Sequence, residues 1–266
     1  MSPAAPPPPL TPEDTRVVLG QLGDLMERLV LVGGQALSFW AEHYAARFAI
    51  GEPVNSTDID FCGLSDAVNI AAARLDGEGR VPKPFSNTPN TGIVEFVDAN
   101  GYARVMDFLF DPFGLQYDEV HHWAVNVDVP HLGGTLSFKV MHPVHCLESR
   151  IANVGGLPGY QSAHAIRQAR ASLLCAKEYL RDVLNSGSPR APRVVRRLNE
   201  RIYRFAWGKL NAKVAFQQYQ VDAFEAVLVD DALGHEFNQI RYPQMCANLE
   251  RKRVRWASRA STVTPA

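Results

Sequence analysis

The 266-residue chain carries no run of about 18 apolar residues, the length a membrane-crossing helix needs, so a membrane-embedded reading has no support in the sequence. Cysteine is scarce. The four thiols, Cys62, Cys146, Cys175 and Cys246, stand far apart with no C-x-x-C pair and no Cys/His zinc spacing, which argues against a disulfide scaffold or a structural zinc. No secretory leader is recognisable, and with reduced thiols the expected compartment is the cytoplasm. Net charge is nearly absent too, at −1, but the balance conceals an asymmetry. Residues 1–150 hold 19 Asp/Glu against 9 Lys/Arg, and residues 151–266 hold 18 Lys/Arg against 9 Asp/Glu. An acidic front half and a basic rear half suit a cation site joined to a surface for an anionic substrate. No internal repeat is visible.

What is present reads as an α+β chain. The opening MSPAAPPPPL is a disordered or extended proline-rich lead-in, residues 1–10. Structure is expected from Thr11, where TPED offers a capping threonine, a proline at the first helical position and first-turn acids, with a helix to about Arg28. LVLVGG, residues 29–34, is a short apolar strand closed by Gly33 and Gly34, and residues 35–48 have helical spacing. GEPVN is a turn, STDIDF (56–61) a strand, and 64–75 a helix; a loop at 77–92 precedes a hairpin, TGIVEFVD and YARVMDFLF, around Asn100–Gly101. WAVNVDVP and TLSFKVM are further strands around Gly133–Gly134. From His142 the pattern turns helical: HPVHCLESRIANV, a long amphipathic helix ending near Asn185, helices over 191–218 and 221–235, and an arginine-rich end, RKRVRWASRA. The expected organisation is therefore a mixed-sheet domain over 11–140 and a helical, basic domain over 141–266.

Three acids stand out because of their apolar setting. Asp58 and Asp60 are two apart in a strand, so they point the same way while Ile59 and Phe61 face the core, and like charges so placed call for a cation between them. Asp107 repeats the pattern, sharing a strand face with Val105 and Leu109 while Met106, Phe108 and Phe110 take the other. Three converging carboxylates suit Mg²⁺, or Mn²⁺, which favours hard oxygen ligands and keeps positions for water and phosphate. The Gly33–Gly34 helix start lets phosphate approach backbone N–H groups. Weaker candidates are His121–His122 and His142-x-x-His145, which lack an evident third ligand, and Ser38, Ser149 and Cys146, which lack a nucleophile setting. The tryptophans fit packing roles, and RKRVRW interleaves basic and aromatic residues as nucleic-acid-binding segments do.

LVGGQAL, then STDIDF, then VMDFL resembles the nucleotidyltransferase superfamily of the DNA polymerase β type, and with a helical rear half looks most like the AbiEii/AbiGii toxin branch of abortive-infection and toxin–antitoxin systems. The likeness covers residues 29–110 and, more loosely, 136–184. It implies a small mixed-sheet nucleotidyltransferase core and Mg²⁺-dependent transfer of a nucleoside monophosphate from an NTP such as ATP to a hydroxyl of RNA, protein or a small molecule, with an antitoxin as a further partner. Asp58 and Asp60 become the metal pair, Asp107 the third carboxylate that activates the incoming hydroxyl, and Gly33 and Gly34 the nucleotide-binding turn. Toxin relatives carry a phosphate-binding lysine on a later helix; here HCLESRIANV has Glu148 and Arg150, leaving Arg150, Arg167, Arg170 and Lys177 as substitutes. Asn55 stands where those relatives often have a basic residue, and the interval from Gly34 to Asp58 is longer. That difference admits a nucleotide-binding module without activity, and a separate reading is an interaction partner that docks through its helical half.

Overall fold

The computed structural model describes residues 7–48, 54–83, 86, 88–132 and 134–261, the last three without their side chains. Most of the lead-in, part of the GEPVN turn and Gly133 therefore lie outside the described residues. Helix α1 (Pro12–Leu22) starts where the sequence puts it: the Thr11 hydroxyl accepts from the Asp14 N–H, the Asp14 carboxylate accepts from the Thr11 N–H, and Pro12 fills the first position. It is shorter than expected because residues 23–27 tighten into a 3₁₀ turn. Strand β1 (Val30–Val32) then enters α2 (Gly33–His43) without a loop.

Next come β2 (Ile59–Cys62), α3 (Asp66–Arg74), β3 (Glu78–Arg80), β4 (Asn90–Val97), β5 (Ala103–Leu109), α4 (Tyr117–Trp123), β6 (Val125–His131) and β7 (Gly134–Val140). The strands form one seven-stranded mixed sheet in the order β3-β4-β5-β2-β1-β7-β6. Neighbours β2 and β5 run parallel, as do β1 and β7, and the other pairs are antiparallel. Strand β3 falls within the expected loop; it is three residues with an exposed charge at each end, the kind of edge strand that leaves no apolar alternation to read. Helix α4 went unanticipated for a similar reason, since seven residues with only Val120 buried give no periodic stripe.

The rear half consists of α5 (Pro143–Gly156), α6 (Ala163–Asn185), α7 (Ala191–Gly208), α8 (Leu210–Tyr219) and α9 (Tyr242–Ser261). Val144, Leu147, Ile151 and Val154 of α5 recur at helical spacing and meet Ala169, Leu173, Ala176 and Leu180 of α6 in a second apolar core. Cys146, Ala171 and Cys175, from the same two helices, belong to the core under the sheet. Gly155 permits the close crossing of α5 and α8: a Cβ there would lie 2.0 Å from the Asn211 carbonyl. The helix expected over 221–235 does not form; two short 3₁₀ turns take its place. Asp222 and Asp230 bond the N–H groups of Phe224 and Ala232, two residues on, and so offer the backbone turns that compete with a helix. Among the described residues no helix is long and apolar enough to cross a membrane.

Candidate functional site

The sheet order places β2 beside β5 in parallel, and the register sets Asp60 opposite Asp107. Registered residues on adjacent parallel strands point to the same face, about 4.8 Å apart along the hydrogen-bonding direction. Ile59 pairs with Met106 and Phe61 with Phe108, all buried, and the Phe61 and Phe108 rings lie 5.9 Å apart. The apolar layer below the sheet therefore fixes the register that brings the two acids together above it. Strand β2 begins one residue after Asp58, which sits on the turn feeding the strand rather than within it.

The glycine turn and the acidic strand meet directly. Gly33 has φ +65°, and a Cβ there would stand 1.7 Å from Oδ2 of Asp60. The Gly34 N–H donates to the Asp60 carboxylate, so that carboxylate occupies the N-terminus of α2, where the helix dipole favours negative charge. Gly34 is constrained as well, since its Cβ would lie 2.6 Å from that of Ser56. Side chains of α2 hold the chain that leads into the acids: Gln35 Nε2 donates to the Ser56 carbonyl at 2.8 Å, and Ser38 Oγ donates to the carbonyls of Gly34 and, at 3.4 Å, Val54.

Burial is the main force on Asp60, raising its pKa; Arg150 pulls it down, Asp107 and Asp58 push it up, and the Gly34 N–H lowers it, leaving a value of about 6. Asp107 is also raised, first by burial and then by Asp58, against the bond that its Oδ1 accepts from Asn90 Nδ2 at 2.7 Å. The crowding seen in the sequence is thus real: at neutral pH these carboxylates carry an electrostatic cost that a cation would relieve.

Helices α5 and α6 form the opposite wall. Arg150 is buried, its Nη1 donates to Gln168 Oε1 at 3.4 Å, and Gln168 Nε2 donates to the Val54 carbonyl at 2.9 Å. A cavity of 410 Å³ lies between the walls, lined by Gly34, Asp58, Asp60, Asp107, Arg150 and Gln168 and also by Asn55, Tyr160, Ser162 and His164. Ser162 caps α6 by accepting from the Ala165 N–H, so the start of this long helix also borders the cavity. Of the basic residues singled out in the sequence, Arg150 reaches the acids. Arg167 does not line the cavity; burial first, then the charges of Arg167 and Arg150, lower the pKa of His164. Arg170 and Lys177 point elsewhere, to the carbonyls of Tyr219 and Glu225. Glu148 is turned from the cavity as well and takes a bidentate pair from Arg201. Gln168, Tyr160 and His164 carried no sequence signal; Ser162 could have been read from its capping position before AHAIRQ.

Oxygen-only donors crowded against one another have the chemistry that suits Mg²⁺ or Mn²⁺. Among the described residues, however, no group of three or more His, Cys, Asp or Glu side chains is gathered as a metal cage, and Asp60 is directed to the α2 N-terminus. His142 and His145 are packing residues. Both are buried against Trp123, His142 edge-on and His145 tilted, and burial drives each pKa down to about 3.

No protein-family model matches the chain, and no curated protein matches it. Among solved structures it is similar to an antigenic nucleotidyltransferase-like protein from Paracoccidioides brasiliensis, at 14% identity and TM-score 0.40 over 63% of this chain and 78% of that one. It is also similar to JHP933 from Helicobacter pylori, at 11% identity and TM-score 0.35 over 92% and 94% of the two chains. Both likenesses are weak, and neither fixes a family. What stands is the architecture: a mixed-sheet core with flanking helices, followed by a helical region that contributes one wall of an acidic cavity.

Proposed function

We propose that the chain is a divalent-metal-dependent nucleotidyltransferase that moves a nucleoside monophosphate from an NTP to a hydroxyl acceptor. The observation that carries this reading is the registered pair Asp60 and Asp107 beside the Gly33–Gly34 helix start. Asp58, Asp60 and Asp107 would hold Mg²⁺ or Mn²⁺, which when bound neutralises the phosphates and polarises the α-phosphorus. Asp107, oriented by Asn90 and raised in pKa, is placed to take the proton of the acceptor hydroxyl as the new O–P bond forms and pyrophosphate leaves. Arg150 is the cation assigned to the phosphates, in the role of the lysine seen in toxin relatives; Arg167, on the adjoining helix, is second. RNA is placed first among acceptors, in a cytoplasmic toxin–antitoxin setting, on the motif order and the basic rear half. Residues 11–140 would be the transferase domain and 141–266 its helical companion.

A second reading is favoured by one feature: the Asp60 carboxylate already fills the space over Gly33 and faces Arg150, as in a nucleotide-binding module without turnover. Calorimetry with each NTP in MgCl₂ or MnCl₂, followed by incubation of α-³²P-labelled NTPs with total RNA, separates the two. Binding with transfer, lost in Asp60→Asn and Asp107→Asn, supports the enzyme; binding without transfer supports the module. Absence of both heat and label with every NTP and either metal would sink both.

A further inference from the structure

A cavity of 720 Å³ lies away from the acids, on the side of α5 that carries Glu148 rather than Arg150. Positions 148 and 150 point to nearly opposite sides of a helix, so α5 is the partition between the two cavities. Helix α7 supplies the far wall with Arg193, Arg197, Arg201 and Arg204, spaced to share one face over about 16 Å of helix. Lys209 extends the row.

The acids in this cleft are already engaged. Glu119 and Glu148 bind Arg201, which also lies over the Trp123 ring, and Glu200 binds Arg241. Arg193, Arg197, Arg204 and Lys209 are exposed and make no ion pair among the described residues. Six cations, Arg196 and Arg201 included, thus line the cleft against three acids, and of the four unpaired ones Arg204 and Lys209 act only at longer range on Glu200 and Glu148. Beyond it, α7 leads to a second basic cleft with Arg251, Lys252 and Arg255 beside Trp207 and Trp256. Lys252 sits 3.6 Å from the centroid of Trp207.

We propose that the α7 cleft is a binding site for the phosphodiester backbone of a single-stranded nucleic acid. Cations repeated along a helix face match an extended polyanion with regularly spaced charge, and guanidinium groups bind phosphate oxygens bidentately. The cleft also offers a peptide no apolar anchor, since its aromatic floor is covered: Phe205 is buried in the second core and Trp123 lies under Arg201. The site is independent of the transfer chemistry, because its cations lie across α5 from Asp60 and its occupation needs neither NTP nor metal.

The test is fluorescence anisotropy with the full chain and labelled 20-nucleotide single-stranded RNA and DNA, without NTP or divalent metal. With four phosphate contacts, affinity should fall about 50-fold between 50 and 200 mM salt, following a slope of roughly −0.7 per contact. Arg193→Gln/Arg197→Gln should weaken binding at least tenfold and reduce the salt loss to about sevenfold. The charge-matched control Arg80→Gln/Lys83→Gln, on and after β3, should change affinity less than twofold, and Lys209→Gln alone should produce an intermediate loss. Equal binding of RNA and DNA supports backbone recognition; an RNA preference adds a 2′-hydroxyl contact to it. The proposal is overturned if the control loses as much as the cleft variants, or if a 20-residue polyglutamate displaces the RNA at equal charge concentration. Unmeasurable binding at 50 mM salt overturns it equally, whatever the outcome of the transfer assay.

Discussion

Replacing Asp60 by asparagine tests the electrostatics of the acidic cavity without changing its shape. Burial, Asp107 and Asp58 outweigh Arg150 and the Gly34 N–H and move the carboxyl from 3.8 up to about 6. A displacement of that size corresponds to about 3 kcal/mol between the two protonation states. Asparagine resembles the protonated acid, so the attraction of Arg150 for the carboxylate is already included in that figure. The sign follows from linkage: a carboxyl raised on folding destabilises the native state above pH 6, and the cost disappears below 3.8. Asp60→Asn should therefore be more stable than wild type by about 2–3 kcal/mol at pH 8, with the gain shrinking as pH falls through 6 and absent near pH 4. Urea unfolding of both proteins from pH 4 to 8 measures it. Adding 10 mM MgCl₂ at pH 8 should stabilise wild type more than the variant, which keeps Asp58 and Asp107 but has lost one of the three proposed ligands. A variant no more stable than wild type at pH 8 would mean that Arg150 and the helix N-terminus compensate the acid fully, and the case for a cation-hungry site would fail.

Gly33→Ala places a methyl against the Asp60 carboxylate and a side chain at φ +65°, so a loss of about 3–5 kcal/mol is expected, combining left-handed strain with a displaced charge-assisted bond. In an Asp60→Gly background, which also removes the residue-60 Cβ that would stand 2.8 Å away, only the backbone part, about 1–2 kcal/mol, should remain, and a double-mutant cycle by urea unfolding reads the coupling. His145 is buried with neither ring nitrogen bonded, and its pKa is held at about 3, so the native state loses stability relative to the unfolded chain as pH falls below 6.5. His145→Phe should remove one proton's worth of that dependence, flattening the unfolding-versus-pH curve by about 2–3 kcal/mol between pH 6.5 and 4.5. Arg104 pairs with Asp98 at 2.7 Å, both buried, and also donates to the Pro8 carbonyl; Arg104→Met should cost about 3–5 kcal/mol in urea unfolding by stranding the Asp98 charge.

Local rules operate over a few residues, and at that range the sequence was decisive. Alternation in STDIDF and VMDFL assigned Ile59, Phe61, Met106 and Phe108 to the core and Asp60 and Asp107 to the opposite face, and the structure has them so. The Thr11 capping box, the Asn100–Gly101 hairpin and the apolar stripes of α5 and α6 were legible for the same reason. Short elements with few buried residues, β3 and α4, were not, and two capping aspartates broke a helix that periodicity suggested over 221–235.

Only the tertiary structure could decide which elements meet. Placing β2 beside β5, whose registered residues stand 47 apart in sequence, depends on long-range packing of the layer beneath, and that packing turns two separate acids into a registered pair. The same packing sets the Asp60 carboxylate against Gly33, which explains physically why a glycine turn and an acidic strand occur together in this chain. It also sorts the candidate cations: Arg150 faces the acids, whereas Glu148, two residues earlier on the same helix, is drawn to the other side by Arg201. A helical sequence specifies that positions 148 and 150 diverge; which of them meets the acids depends on what lies on either side of α5, and that is fixed by how the helix docks.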